Sequence, residues 1–410
     1  MSKFSTPVSA SGDAAEDASR LLQRLGYVVL ALGGPSAEAL SSRAIFLFFP
    51  IGMALLLAAA MLNPPPGVVG RLDRALRSPL SLVGLALFGW AALSTAWTLY
   101  PVEAIEHLLK LIGTAIVVIA ALACSYEHMR ATDLYLFPIG VGVAMLAILG
   151  LALAQHMGAG PYADRIDRTG VALVILLWPA MAGLAARGRD GLARLLMILT
   201  AAFIFAIGAP VAAAALFVGV LTLSFAISDL RRTIADLGLL AAAIVVLSPI
   251  APAVAPSLVR WFLHVKLSSL AGPFAPLAGA SELLLHEPLR LFTGHGMDTS
   301  IHLAEAGMPA SSIPRVALFE LWYELGVVGA LLGAALAWLG FRAVGGAGAR
   351  VAPYLMAAFA ANLTMAFLSE DFSQMSWVTL LAVSAISAGA ATRSQYRTRR
   401  PSAATPTPGL

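Results

Sequence analysis

The residues best suited to chemistry fall in two stretches near the last third of the chain. Glu320 and Glu324 stand four apart in the segment 319–329, FELWYELGVVG, so they stack on one face if that segment is helical. A carboxylate inside an apolar helix is expensive and is read first as functional. Glu320 is suited to act as a base toward a hydroxyl, with Glu324 in support; alternatively both pair with arginines such as Arg315 and hold an entrance together. Upstream, 294–296 reads Gly-His-Gly, followed by Asp298. Flanking glycines permit a tight turn and close backbone approach to a ligand, which makes His295 a candidate base or hydrogen-bond donor and Asp298 its support. The competing reading is a solvated loop histidine. Three arginines complete the set: Arg165 and Arg168 in 164–170, DRIDRTG, and Arg315 just before the apolar run that starts near Ala317. The guanidinium fork suits phosphate and pyrophosphate oxygens. Arg165 and Arg168 also have Asp164 and Asp167 beside them, and pairing with those or snorkelling to lipid phosphates is the alternative.

These groups must be positioned in an unusual solvent. Of 410 residues, 59% are hydrophobic and 12% charged, about half the charged fraction of an ordinary soluble protein. Such a chain cannot cover a water-facing exterior, so its surface meets lipid. Twelve apolar segments are long enough or nearly long enough to span: 21–34, 44–62, 80–97, 105–124, 134–155, 171–186, 195–209, 211–227, 237–253, 317–340, 352–368 and 375–391. The fold expected is all-α, a polytopic transmembrane bundle of about 12 spans with one long loop carrying short helices. Residues 1–20 read as an N-terminal tail without a signal peptide, 21–392 as the transmembrane domain, and 393–410 as a basic, Pro- and Ser-rich C-terminal tail.

Basic residues test the orientation. With both termini inside, 18 of them, including Arg71, Arg74, Arg77, Arg187, Arg189, Arg231 and Arg232, fall on the cytoplasmic side and 7 on the other, while Lys110 lies within a span. That asymmetry is the positive-inside pattern. It also explains the net charge of +4 without nucleic acid, since the cations are scattered between apolar segments. The seven exceptions include Arg165, Arg168 and Arg315. The long loop, 254–315, lies on the non-cytoplasmic side and contains an amphipathic stretch at 258–270 suited to the interface. One cysteine, Cys124, leaves no intramolecular disulfide, and the loop histidines at 264, 286, 295 and 302 fit no metal spacing. No metal or other cofactor is expected. A transporter is the alternative from another class; for it, Gly208-Ala209-Pro210 between two apolar runs reads as a possible helix break.

The segment FELWYELGVVG after a loop containing Gly-His-Gly resembles the signature of O-antigen ligase-like membrane proteins, a family that includes O-antigen polymerases. Ser94-Thr-Ala-Trp97-Thr98 is similar to that family's Ser-x-x-Trp-Ser segment, and Asp167-Arg168-Thr169-Gly170 ahead of Trp178-Pro179 resembles its central segment. The resemblance implies a metal-independent glycosyltransferase of the bacterial inner membrane with a periplasmic loop. It would move a glycan from undecaprenyl pyrophosphate to a lipid or polysaccharide acceptor. Periplasmic arginines, here Arg165, Arg168 and Arg315, would engage the pyrophosphate. The chain departs from the pattern at Pro314-Arg315-Val316, where the family has Pro-His-Asn, and at 208–211, where a Ser/Arg-rich motif is absent. His295 or Arg315 would then replace the loop-end histidine. The alternative is a non-enzymatic transporter or accessory factor for lipid-linked polysaccharide.

Overall fold

The computed structural model describes residues 10–34, 36, 41, 44–65, 67–124, 133–157, 163–249, 290–303, 316–369 and 375–394. Among these every regular element is a helix. An apolar chain in hydrocarbon has no other local way to pair its backbone N–H and C=O groups. In chain order the helices are α1 (Ala10–Val28, continued by a π turn Val29–Gly33), α2 (Ile45–Leu62), α3 (Val68–Leu76), α4 (Pro79–Ser94), α5 (Pro101–Cys124) and α6 (Leu136–His156). Then follow α7 (Ala163–Ala186), α8 (Asp190–Ile207), α9 (Pro210–Ser228), α10 (Leu230–Leu247), α11 (Arg290–Thr293), α12 (Ala317–Gly345), α13 (Ala352–Leu368) and α14 (Met375–Ser394).

Among the described residues eight helices are long and apolar enough to cross a membrane, or nine if α3 and α4, bent by 62°, form one span. This is fewer than the twelve expected from hydrophobic runs, and the reasons are local. α1 begins at Ala10, inside the stretch read as a tail, and carries Glu16, Asp17, Arg20 and Arg24 on an amphipathic surface. α10 carries Arg231, Arg232 and Asp236 in its first two turns, leaving a short apolar remainder, and α13 has only 17 residues. Gly208 and Pro210 do not interrupt a span. Gly208, at φ 71°, ends α8, and Pro210 opens α9, each a full helix. Most of the long loop, including the amphipathic stretch at 258–270, lies outside the described residues.

α7 is the axis of the bundle. Its apolar window is 100% buried, against 17% to 61% for the other candidate spans, and it is surrounded by α6, α8, α9, α13 and α14. Small residues allow this: Gly170, Ala172, Ala180, Ala182, Gly183, Ala185 and Ala186 let neighbouring backbones come close where packing drives association. At one end of the bundle Arg24 faces Asp133 at 3.6 Å, Arg71 donates to the Ala123 carbonyl at 3.1 Å, and Gly188 lies beside Arg350. The helix ends bearing Arg187, Arg189, Arg231, Arg232 and Arg342 gather there too. The opposite end holds the starts of α5, α7 and α12 and the described part of the loop.

Candidate functional site at the loop end of the bundle

The site is built around a break in α12. Gly326 stands at φ 64°, ψ −159°, a region open essentially to glycine alone. The break takes the carbonyls of Tyr323, Glu324 and Leu325 out of the regular helical ladder. Three donors from elsewhere meet them: the His295 amide to Tyr323 at 2.8 Å and the Gly296 amide to Glu324 at 3.0 Å, and the Trp90 indole N–H to Leu325 at 2.9 Å. Buried backbone acceptors need such partners, so the loop and α4 complete the helix they dock against. The approach is tight. A Cβ on Gly294, itself at φ 74°, would sit 2.0 Å from the Glu324 carbonyl oxygen.

The turn after α4 pins the loop from the other side. The Thr98 hydroxyl donates to the Met297 carbonyl at 2.8 Å and lies 3.2 Å from the Thr299 hydroxyl. The Met297 amide donates to Ser94 Oγ at 3.2 Å, and His302 stacks on Tyr100 with ring centroids 3.8 Å apart.

Polar side chains then converge in the space so framed. Asp298, buried and held at φ 64°, places Oδ1 2.7 Å from Nδ1 of His107 on α5. Glu324 Oε1 accepts from the Ser300 hydroxyl at 2.5 Å and the Ser300 amide at 3.2 Å. Glu320 lies one turn earlier on the same helix and, like Glu324, is close enough to His107 to act on it electrostatically. His295 stacks flat on Tyr323, with centroids 4.0 Å apart, and its Nδ1 is 3.1 Å from the Tyr323 carbonyl oxygen. Carboxylates, an imidazole and hydroxyls at this spacing are equipped for proton transfer to and from a hydroxyl. Among the described residues no group of three or more His, Cys, Asp or Glu side chains is arranged to hold a metal ion.

Of the residues singled out in the sequence, His295, Asp298, Glu320 and Glu324 are thus brought together. Arg165 and Arg168 are not part of that cluster: they lie in the first turns of α7, at the same end of the bundle but on a helix whose main neighbours are others. Arg315 lies outside the described residues. His107 and Ser300 were not among the expected site residues, and Ser94 and Thr98 entered only through the resemblance of their segment. A histidine in the membrane-facing segment 105–124 was itself a signal, since ionisable groups in spans are functional by default.

The chain matches no protein-family model, no curated protein and no solved structure, so any functional reading stands on these residues and their geometry.

Proposed function

We propose that this chain is a membrane glycosyltransferase of the O-antigen ligase type. It moves a glycan from undecaprenyl pyrophosphate to a hydroxyl of a lipid or polysaccharide acceptor. The observation that supports this best is the gathering of Asp298, Glu320, Glu324 and two histidines where a docked loop meets a broken helix. Pyrophosphate is a competent leaving group, so such a transfer needs a base for the acceptor hydroxyl, cations for the departing charge, and exact positioning. The cluster offers the first. Arg168 and Arg315 are assigned the second.

In this reading the chain sits in the inner membrane of a bacterium with the arginine-rich end in the cytoplasm and the loop end in the periplasm. Twelve crossings with both termini inside are reached if α1, α10 and α13 cross along with the nine candidate spans. Single cysteines test the orientation after Cys124→Ala. Phe292→Cys, on the loop, is expected to react with a membrane-impermeant maleimide in intact spheroplasts, and Gly348→Cys only after they are opened. The reverse labelling would overturn the orientation.

Deletion followed by glycolipid analysis tests the activity. The expected result is loss of a glycan-bearing lipid or polysaccharide, accumulation of the lipid-linked donor, and a transfer rate lowered about 10²- to 10³-fold in the Arg168→Ala complement. Unchanged lipopolysaccharide and surface polysaccharide in the deletion strain would sink the proposal. A transporter or accessory factor for lipid-linked polysaccharide is the second reading, favoured by the interruption in α12. Against it, the three carbonyls at that break already have donors, so the break offers no open backbone site of the kind transporters use.

A further inference from the structure

Resting on the transferase reading, we propose that His107, held in orientation by Asp298, is the general base that takes the proton from the acceptor hydroxyl. The pair joins residues 191 positions apart, one on α5 and one on the docked loop, with Nδ1 and Oδ1 2.7 Å apart. A carboxylate only accepts, so His107 donates its Nδ1 hydrogen to Asp298 Oδ1 and Nε2 keeps its lone pair. The arrangement is the carboxylate–imidazole couple by which hydrolases fix the tautomer of a base. Asp298 is the positioning residue and acts through His107.

Three further observations single out this histidine. Asp298 is the one non-glycine residue among those described with positive φ, at 64°, a conformation that persists where the surroundings impose it. The Met297 and Ser300 backbone bonds on either side impose it here, so the loop spends strain aiming this carboxylate. Next, the His107 side chain is 19% exposed while that of Asp298 is 8% exposed. The imidazole therefore stays reachable from outside, and Asp298 is its single hydrogen-bond partner among the described residues. Finally, His295 has Nδ1 directed at the Tyr323 carbonyl and one ring face covered by Tyr323, which suits it to holding the loop on α12.

In the step assigned to His107, the acceptor O–H proton passes to Nε2 as the oxygen forms a bond to the anomeric carbon of the donor glycan. The bond from that carbon to the pyrophosphate oxygen breaks, and its electron pair leaves with the lipid pyrophosphate. The proton on His107 then goes to water. Atoms and charge balance without any further reactant.

The test uses the full-length protein in nanodiscs, with a lipid-linked glycan donor and a hydroxyl acceptor. His107→Ala is expected to lower kcat about 10²- to 10⁴-fold with KM for the acceptor changed less than about threefold, and added imidazole to restore at least tenfold of that loss. His107→Gln keeps an amide donor for Asp298, so its melting temperature stays at the wild-type value while its kcat stays as low as that of His107→Ala. A fully active His107→Gln, or a stable His107→Ala that imidazole does not rescue, would overturn the role of His107 while leaving the transferase reading intact. A wild-type protein that transfers no glycan overturns both.

Discussion

Gly326→Ala is expected to detach the loop 290–303 from α12 while leaving the rest of the bundle folded. Two costs combine. An alanine at φ 64°, ψ −159° is held in a region that L-residues avoid, at about 1–3 kcal/mol. Its Cβ would also sit 2.6 Å from the Phe292 carbonyl oxygen and 2.7 Å from the Gly294 amide. Both are backbone atoms and cannot rotate away. The cheaper solution for the chain is to close the break into continuous helix, which takes the Tyr323, Glu324 and Leu325 carbonyls back from the His295 and Gly296 amides and the Trp90 indole. Each of those bonds is worth about 0.5–1.5 kcal/mol, and their loss is matched by new helical bonds, so the global stability changes little. The docked loop pays instead. Hydrogen exchange at the amides of 295, 296 and 300 is expected to rise at least a hundredfold, the proposed glycan transfer to fall with it, and helical circular dichroism to stay constant. Gly294→Ala, whose Cβ would meet the Glu324 carbonyl, should do the same. Gly113→Ala, on α5 with nothing within 4 Å, is the control. Unchanged exchange in Gly326→Ala would mean that the break does not depend on glycine.

The break at Gly326 is not written in the local sequence. The Leu-Gly-Val-Val-Gly run in 325–329 was visible as part of an apolar helix, where small residues three apart read as ordinary helix-packing positions in a membrane. Which one takes positive φ depends on a loop thirty residues upstream that has to dock there. Gly208-Ala-Pro210 looked more like a break because Pro forbids a continuing ladder, yet the two runs beside it are each long enough to be a complete helix. Glu320 and Glu324 were legible because a carboxylate in an apolar run is costly wherever it lies, and His295 with Asp298 because flanking glycines mark a tight turn. His107 was not, because Glu103, Glu106 and Lys110 surround it. Lys110 pairs with Glu106 at 2.6 Å, so the first turns of α5 carry the look of an interfacial helix start. Only the fold separates the member of that group that turns toward Asp298 from those that face outward. The positive-inside asymmetry, by contrast, is a sum over many arginines, so the orientation it leads one to expect does not turn on any one boundary. The number of spans lacks that protection, since each marginal run, such as 21–34 or 237–253, is decided by a few charges at its own edge.

Packing around α7 yields the second large expectation, a coupling between Trp178 and Gly219. Trp178 is fully buried at the centre of the bundle, and its indole nitrogen has no hydrogen-bond partner among the described residues. Gly219 of α9 lies directly against the ring; a Cβ there would sit 2.2 Å from Cζ2 and 2.7 Å from Cε2. Between membrane helices, shape rather than water exclusion carries the association, so filling or emptying this contact has a direct cost. Trp178→Ala opens a cavity of most of an indole and is expected to cost about 3–5 kcal/mol. Trp178→Phe removes ring volume too, but it also removes the unpaired N–H, whose burial costs about 1–3 kcal/mol. The opposing terms nearly cancel, and Trp178→Phe should fall within about 1 kcal/mol of the wild type. Gly219→Ala in the wild-type background overpacks the ring, at about 1–3 kcal/mol. With Phe at 178 the atoms in its way are gone and the added methyl occupies the space they leave, so most of that cost should disappear. The double-mutant cycle, read from unfolding in detergent, is expected to show a favourable interaction of about 1–3 kcal/mol; strict additivity would mean that α9 moves aside as freely as a helix in lipid. Because α7 carries Arg165 and Arg168 in its first turns, about 15–20 Å along the helix from Trp178, a loosened contact here also frees the guanidinium groups that the proposed function places on pyrophosphate. Under the proposed function, Trp178→Ala should therefore show a higher KM for the lipid-linked donor, whereas Trp178→Phe should keep the wild-type value.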